Sequence, residues 1–148
     1  DRAISYREMK GYDHLDVALS VGVQRMVRSD LGASGVLFSI DTESGFPDAV
    51  LISAAWGLGE TVVQGTINPD KYQVFKPLLA DGRFRPVIER ERGAKERKMI
   101  YSQGGNARTR MVETTEREQE TLVLSDDEVV LLARWAKAVE QAGAKLSN

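Results

Sequence analysis

The sequence predicts an α+β domain, mainly an antiparallel sheet flanked by helices. Three observations carry this. Two apolar runs, Gly35 to Asp41 and Ala49 to Trp56, are separated by a short connection with Gly45 and Pro47 at its tip, the spacing of an antiparallel hairpin. Lys71-Tyr72-Gln73-Val74-Phe75-Lys76 alternates as a half-exposed strand does. Ser125-Asp126-Asp127-Glu128 opens a run with helical periodicity.

Taken in order, residues 1–10 form a short amphipathic helix candidate, broken by Gly11-Tyr12-Asp13-His14. Residues 18–28, ALSVGVQRMVR, carry a strand signal at Val21, Val23, Met26 and Val27. A turn-rich stretch, Ser29 to Ser34, leads into the hairpin. Both hairpin strands are apolar on both faces near their middles, so a sheet covered on both sides is expected. Gly57-Leu58-Gly59-Glu60 opens one or two helical turns ended by Gly65, and Asn68-Pro69-Asp70 is a turn. Weaker strand candidates lie at Arg85–Glu91, Lys98–Ser102 and Arg110–Thr114, with Gln103-Gly104-Gly105-Asn106 expected to be a mobile loop. In the last helix Ser125 caps the first turn and Glu128 completes a capping box. Val129, Leu132, Ala133, Ala136 and Val139 form its buried stripe, and its end is expected near Gln141, with a stop at Gly143.

The 148 residues suffice for one compact domain with a core, and 42% hydrophobic and 28% charged residues are ordinary for a soluble globular chain. A net charge of -2 gives no electrostatic reason to expect nucleic acid or an anionic membrane as partner. The absence of cysteine excludes disulfides and Cys-based metal sites and fits a reducing, cytoplasmic compartment. No apolar run approaches the ~20 residues that cross a bilayer. The opening DRAISYR reads as the middle of a helix, which makes the chain an internal piece of something longer.

Little of the sequence carries chemistry by itself. His14, the one histidine, is either a phosphoryl-carrying residue or a solvated loop side chain, and alone it specifies neither. No His/Asp/Glu spacing marks a metal site. Gly57-x-Gly59-Glu60 follows a buried strand. It either lets backbone approach a phosphate, with Glu60 meeting a metal or a sugar hydroxyl, or is a helix entry packed on Trp56. In Val23 to Val27 the Gln24 amide could both donate to and accept from a purine edge and Met26 could pack on its ring, or Gln24 and Arg25 face water on an edge strand.

Taken together, VQRMVRSD (23–30), SGVLFSIDTESGFPD (34–48), AAWGLGETVVQG (54–65) and INPD (67–70) resemble the nucleotide-binding domain of the phosphoenolpyruvate synthase family. The resemblance runs from residue 1 to about 140, and DRAISYR matches the helix that precedes the domain's strands in that family. Related dikinases share a looser pattern. Pyruvate phosphate dikinase has a Thr-Arg-Asn-Pro version of Ser39-Ile40-Asp41-Thr42, and rifampin phosphotransferase has a close relative of AAWGLGE. The resemblance implies residues 1–140 as part of an ATP-grasp-like domain, its second lobe, and residues 141–148 as a divergent or artificially appended tail.

It also implies an enzyme that converts ATP, pyruvate and water to AMP, phosphoenolpyruvate and phosphate through a phosphohistidine on a mobile domain, with Mg2+ on the nucleotide phosphates. Gln24, Arg25, Met26 and Val27 match the adenine-side hinge strand, Ser39 a hydroxyl position facing the phosphates, and Glu60 the acid of the Gly-Glu turn. These groups are expected to share one cleft. The family's phosphate-gripping Lys and Arg are expected upstream of Asp1 and its magnesium carboxylates after residue 140, so the chain alone is expected not to turn over. The other reading is a non-catalytic nucleotide-binding or interaction lobe of a related dikinase or of rifampin phosphotransferase.

Overall fold

The computed structural model describes residues 2–12, 20–81, 83–102 and 108–146. His14, the Gln103–Asn106 loop, the start of the expected strand at Ala18 and Leu19, and the last two residues of the expected tail lie outside the described residues. The chain is an α/β mixture built on a four-stranded antiparallel sheet with a two-stranded hairpin beside it. Helix α1 spans Arg2–Lys10, and none of its residues is buried. The large sheet has the order β1 (Ala33–Phe38), β2 (Ala49–Trp56), β3 (Asp70–Phe75), β4 (Val87–Glu91). The one-turn helix α2 (Glu60–Val63) lies between β2 and β3. The hairpin is β5 (Arg97–Tyr101) with β6 (Thr109–Glu113), and helices α3 (Glu116–Glu120) and α4 (Asp126–Leu146) complete the fold.

The expected hairpin forms. Ala33 pairs with Trp56 and Phe38 with Leu51. Its connection closes on itself: Gly45 takes a positive φ of 73°, Asp41 accepts from Glu43 N–H and from the Ser44 hydroxyl, and Phe46 stacks on Phe75 with ring centroids 6.3 Å apart. The alternation of β2 sends Val50, Ile52 and Ala54 to one face, where they join Tyr72, Val74 and Val87. Helix α4 covers this face with Val129, Ala133 and Ala136. Both helix starts late in the chain carry capping boxes, at Ser125 with Glu128 as expected and at Thr115 with Glu118. The second was equally legible, since Thr-x-x-Glu is the same signature.

Three expectations are corrected. The sheet is not covered on both sides along its middle: on the opposite face Ser53, Lys71, Gln73, Glu89 and Glu91 are polar and exposed or half-exposed, while Ala49 and Ala55 toward the ends of β2 are buried, and β1 is exposed or half-exposed along its length. Hydropathy recorded the apolar content of β1 but not that α4 fails to reach this edge. Val139 is 72% exposed, because the core beneath α4 ends at Ala136. Finally, α4 does not stop at Gly143 but continues to Leu146; Gly143 stays out of the left-handed region, and the flanking Ala142, Ala144 and Lys145 favour helix.

One ion pair ties these layers together. Asp70 and Lys95 are both buried, with Lys95 Nζ 2.5 Å from Asp70 Oδ1. The same carboxylate accepts from the backbone N–H of Gly93 at 2.8 Å and of Val123 at 2.7 Å. Lys95 donates a second bond to the Gly93 carbonyl, and its backbone sits at a φ of 46°, held by Lys95 N–H to the Asn68 carbonyl and by the Thr114 hydroxyl on the Lys95 carbonyl. The neighbouring Tyr72 hydroxyl accepts from Leu124 N–H at 3.0 Å, and burial pushes its pKa up to about 12. Removing one member of a buried, hydrogen-bonded pair strands the other and costs roughly 3–5 kcal/mol. Asp70→Ala should therefore lower the urea unfolding midpoint by an amount equivalent to at least ~3 kcal/mol. A loss below ~1 kcal/mol would show that water replaces the pair at little cost.

Several carboxylates held below their usual range give the fold an acid limb, two of them at the start of α4. Arg90 holds the Asp126 carboxyl below its usual range through bonds of 2.8 and 2.6 Å, and the Ser125 N–H and hydroxyl do the same for Glu128. A depressed folded pKa stabilises fully above the unfolded value, near 4 for such groups, and the stabilisation is lost as pH falls through the folded value. The unfolding midpoint should stay level from about pH 7 to about 5 and fall below about pH 4. Asp126→Asn should flatten that fall, and an unchanged acid slope in the variant would refute the assignment.

Candidate functional site

The segment 20–28 is not a strand. An extended chain becomes one only when a neighbour supplies a hydrogen-bond ladder, and among the described residues none pairs with it. Val23 is 95% exposed, and Gln24, Arg25, Met26 and Val27 are exposed as well. The expected edge strand is thus an open segment without regular structure, whose peptide groups between Gln24 and Val27 make no backbone bond to the described residues.

The segment ends in a firm anchor. The Arg28 guanidinium meets both oxygens of Asp30, at 2.8 and 2.7 Å, and lies 5.7 Å from the centre of the Tyr101 ring on β5. The Asp30 side chain is nearly buried, and Arg28 holds its carboxyl below the usual range. A 3-10 turn at Ser29–Leu31 then delivers the chain to β1.

The glycine turn after β2 packs against this anchor. Gly57 N–H donates to the Gly32 carbonyl at 3.0 Å and Leu58 N–H to the Met99 carbonyl at 2.9 Å, while the Ser34 hydroxyl donates to the Gly57 carbonyl at 2.7 Å. Two of the N–H groups a phosphate would need are therefore already engaged. The turn is a helix entry wedged between β1 and β5, and the Trp56 indole beside it donates to the Glu118 carbonyl at 2.9 Å. Gly57 is required there: its φ is 84°, and an added Cβ would stand 2.5 Å from the Met99 oxygen.

Glu60, the first residue of α2, is exposed and accepts from the Gln64 amide at 3.0 Å. Ser39 is half-buried just past the other end of β1. The ladder from Ala33–Trp56 to Phe38–Leu51 lies between them, roughly 17 Å of strand at ~3.4 Å per residue. The structure brings Glu60 and the exit of the Gln24–Val27 segment to one end of the sheet, through Gly32 and Gly57. It does not bring Ser39 to that end: Ser39 stands at the opposite end of β1.

Two hollows flank the sheet. One, of about 270 Å3, is apolar and lies beside Gly35, Leu37, Ile52 and Ala54, under Leu124 and Leu132, where α4 does not reach β1. The other, of about 350 Å3, is polar and lies on the open face between Asp41, Thr42, Glu43, Ser53, Lys71, Gln73, Glu89 and Glu91. The charged groups here are partly committed: Lys71 pairs with Glu91 at 3.1 Å, and the Ser44 hydroxyl and Glu43 N–H hold the Asp41 carboxyl below its usual range. The Arg28–Tyr101 contact escaped the sequence, because residues 73 apart in the chain leave no periodic signal; Arg28 and Asp30 stand within a quoted motif, but their pairing does not show there.

The architecture defines a class before any comparison: a mixed α/β domain whose antiparallel sheet is covered by a helix on one face and presents polar, accessible side chains at the middle of the other. Residues 1–145 match the family model described as the pyruvate phosphate dikinase AMP/ATP-binding domain, and the chain belongs to that family. Among relatives, it is 59% identical over 95% of its length to a phosphoenolpyruvate synthase of Synechocystis sp. and 56% identical over 98% to one of Helicobacter pylori. It is 50% identical over 95% to one of Escherichia coli. The chain spans 17–18% of the length of these relatives.

The Gly57 geometry yields a direct test. Gly57→Ala meets both the left-handed backbone penalty, ~1–2 kcal/mol, and a backbone oxygen. Gly65, at a φ of 64°, has nothing within 4 Å of an added Cβ. Gly65→Ala should cost about 1 kcal/mol and Gly57→Ala clearly more, read as unfolding midpoints. Equal losses would show that the turn has room to shift away from β5.

Proposed function

We propose that this chain is the ATP-binding lobe, ATP-grasp-like, of a phosphoenolpyruvate synthase that converts ATP, pyruvate and water to AMP, phosphoenolpyruvate and phosphate. The observation that carries this reading is the match to an AMP/ATP-binding domain together with identities of 50–59% to phosphoenolpyruvate synthases across nearly the whole chain. In this reading the phosphohistidine and the pyruvate site lie on other domains of a longer cytoplasmic enzyme. The reaction is driven by positioning and charge neutralisation around the transferred phosphoryl group.

On this chain, the open peptide groups of Gln24–Val27 supply the donor and acceptor that an adenine edge requires, the Gln24 amide adds both kinds, and Met26 packs on the ring. Arg25 flanks the same segment. Glu60, at the sheet end reached by this segment, meets a ribose hydroxyl or a metal-bound group. Ser39 addresses the phosphates from the other end of β1, which fits an elongated ligand lying along the strand better than a compact one. Mg2+ would accompany the nucleotide phosphates. Its protein ligands are expected mostly on other parts of the enzyme.

In a protein that carries this domain with the remaining domains of its relatives, Gln24→Ala and Glu60→Ala should each weaken ATP use at least ~10-fold in kcat/KM, about 1.4 kcal/mol of lost transition-state binding. Glu116→Ala, on the exposed start of α3, should change it less than about 2-fold. If Glu60→Ala behaves like Glu116→Ala, Glu60 is a helix-entry residue and leaves the site.

A further inference from the structure

The contacts around Arg28 close a circuit. Asp30 holds the guanidinium in a two-point grip. The guanidinium lies against Tyr101 of β5. Two residues back along β5, the Met99 carbonyl accepts from Leu58 N–H. One residue before Leu58, Gly57 N–H returns to the Gly32 carbonyl, at the end of the turn that Asp30 occupies. Among the described residues Gln24–Val27 pairs with no strand, and the contact that fixes it to the rest of the fold is at its exit, where Arg28 joins this circuit. A planar, two-point guanidinium contact fixes orientation in a way that a single point charge cannot.

We infer that Arg28 is a positioning residue for the nucleotide: gripped by Asp30 and seated on Tyr101, it locks the exit of the Gln24–Val27 segment to the β5–β6 hairpin. Arg28 touches no ligand in this scheme. It holds the purine-facing peptides at one height relative to Glu60, because the Gly57–Glu60 turn is fastened to the same hairpin. The inference rests on the reading that Gln24–Val27 faces the adenine.

The test uses the full enzyme, with kcat and KM for ATP and the melting temperature measured for each variant. A positioning role predicts a rise in KM for ATP of about 5-fold for Arg28→Ala, the scale of one exposed cation–aromatic contact together with an ion pair, with kcat within about 2-fold. Arg28→Lys, which keeps the charge and loses the fork, should fall between wild type and alanine. Tyr101→Leu should reproduce the rise, and Tyr101→Phe, which keeps the ring, should not. Because the Tyr101 pair leaves the ion pair intact, it decides the matter even if Arg28→Ala fails to fold. A lowered melting temperature with unchanged KM in Arg28→Ala and Tyr101→Leu, while Gln24→Ala still raises KM, overturns the positioning role alone. If Gln24→Ala also leaves KM unchanged, the adenine reading falls and the inference falls with it.

Discussion

The buried pair of Asp70 and Lys95 is the constraint on which the rest of the domain depends. A carboxylate and an ammonium removed from water are tolerable only when each finds close partners. Here the carboxylate takes the Lys95 ammonium and the N–H groups of Gly93 and Val123. Those partners come from two places, the connection between β4 and β5 and the segment that leads into α4, while Asp70 itself opens β3. The pair can form only when all three meet, so it selects one register of β3 and one approach of α4 to the sheet. The left-handed backbone of Lys95 is the local cost of that arrangement.

From this point the fold builds outward in two directions. Toward α4, the Val123 and Leu124 backbone bonds to Asp70 and Tyr72 place Ser125 so that the capping box starts the helix over Val50, Ile52 and Val74. Toward the hairpin, the turn at Lys95 sets the height of β5, and Met99 and Tyr101 on that strand then receive Leu58 and Arg28. Of the groups read as nucleotide-facing, Glu60 and the exit of the Gln24–Val27 segment stand beside this second direction, and Ser39 stands at the other end of β1. The position of Glu60 and of that exit thus follows in part from a buried charge pair on the far side of the hairpin's entry.

The glycine turn shows why a motif and a site differ. Gly57-Leu58-Gly59-Glu60 has the composition of a phosphate loop, yet the N–H groups of Gly57 and Leu58 are spent on Gly32 and Met99. Its glycines serve close packing of the turn against β5 and β1. The family match accounts for the sequence of the turn, and packing accounts for its glycines.

The sequence by itself determined the elements whose causes are local. The β1–β2 hairpin, the alternation of β3, the weaker strands and the Ser125 cap all follow from side-chain periodicity, turn residues and side-chain-to-backbone bonds within a few positions. The chemistry assigned to Gln24, Ser39 and Glu60 came from long matched motifs and not from periodicity, since single residues of those types specify no site. Tertiary structure alone decided what depends on distant neighbours. Residues 20–28 are no strand because none of the described residues supplies a ladder to them, although Val21, Val23, Met26 and Val27 are apolar. Val139 is outside because the core beneath α4 ends first. Asp70, read as a turn residue, is buried because Lys95 lies 25 positions away in sequence and 2.5 Å away in space. Burial, pairing and ladder formation belong to the folded chain as a whole, and a window of neighbouring residues contains none of them.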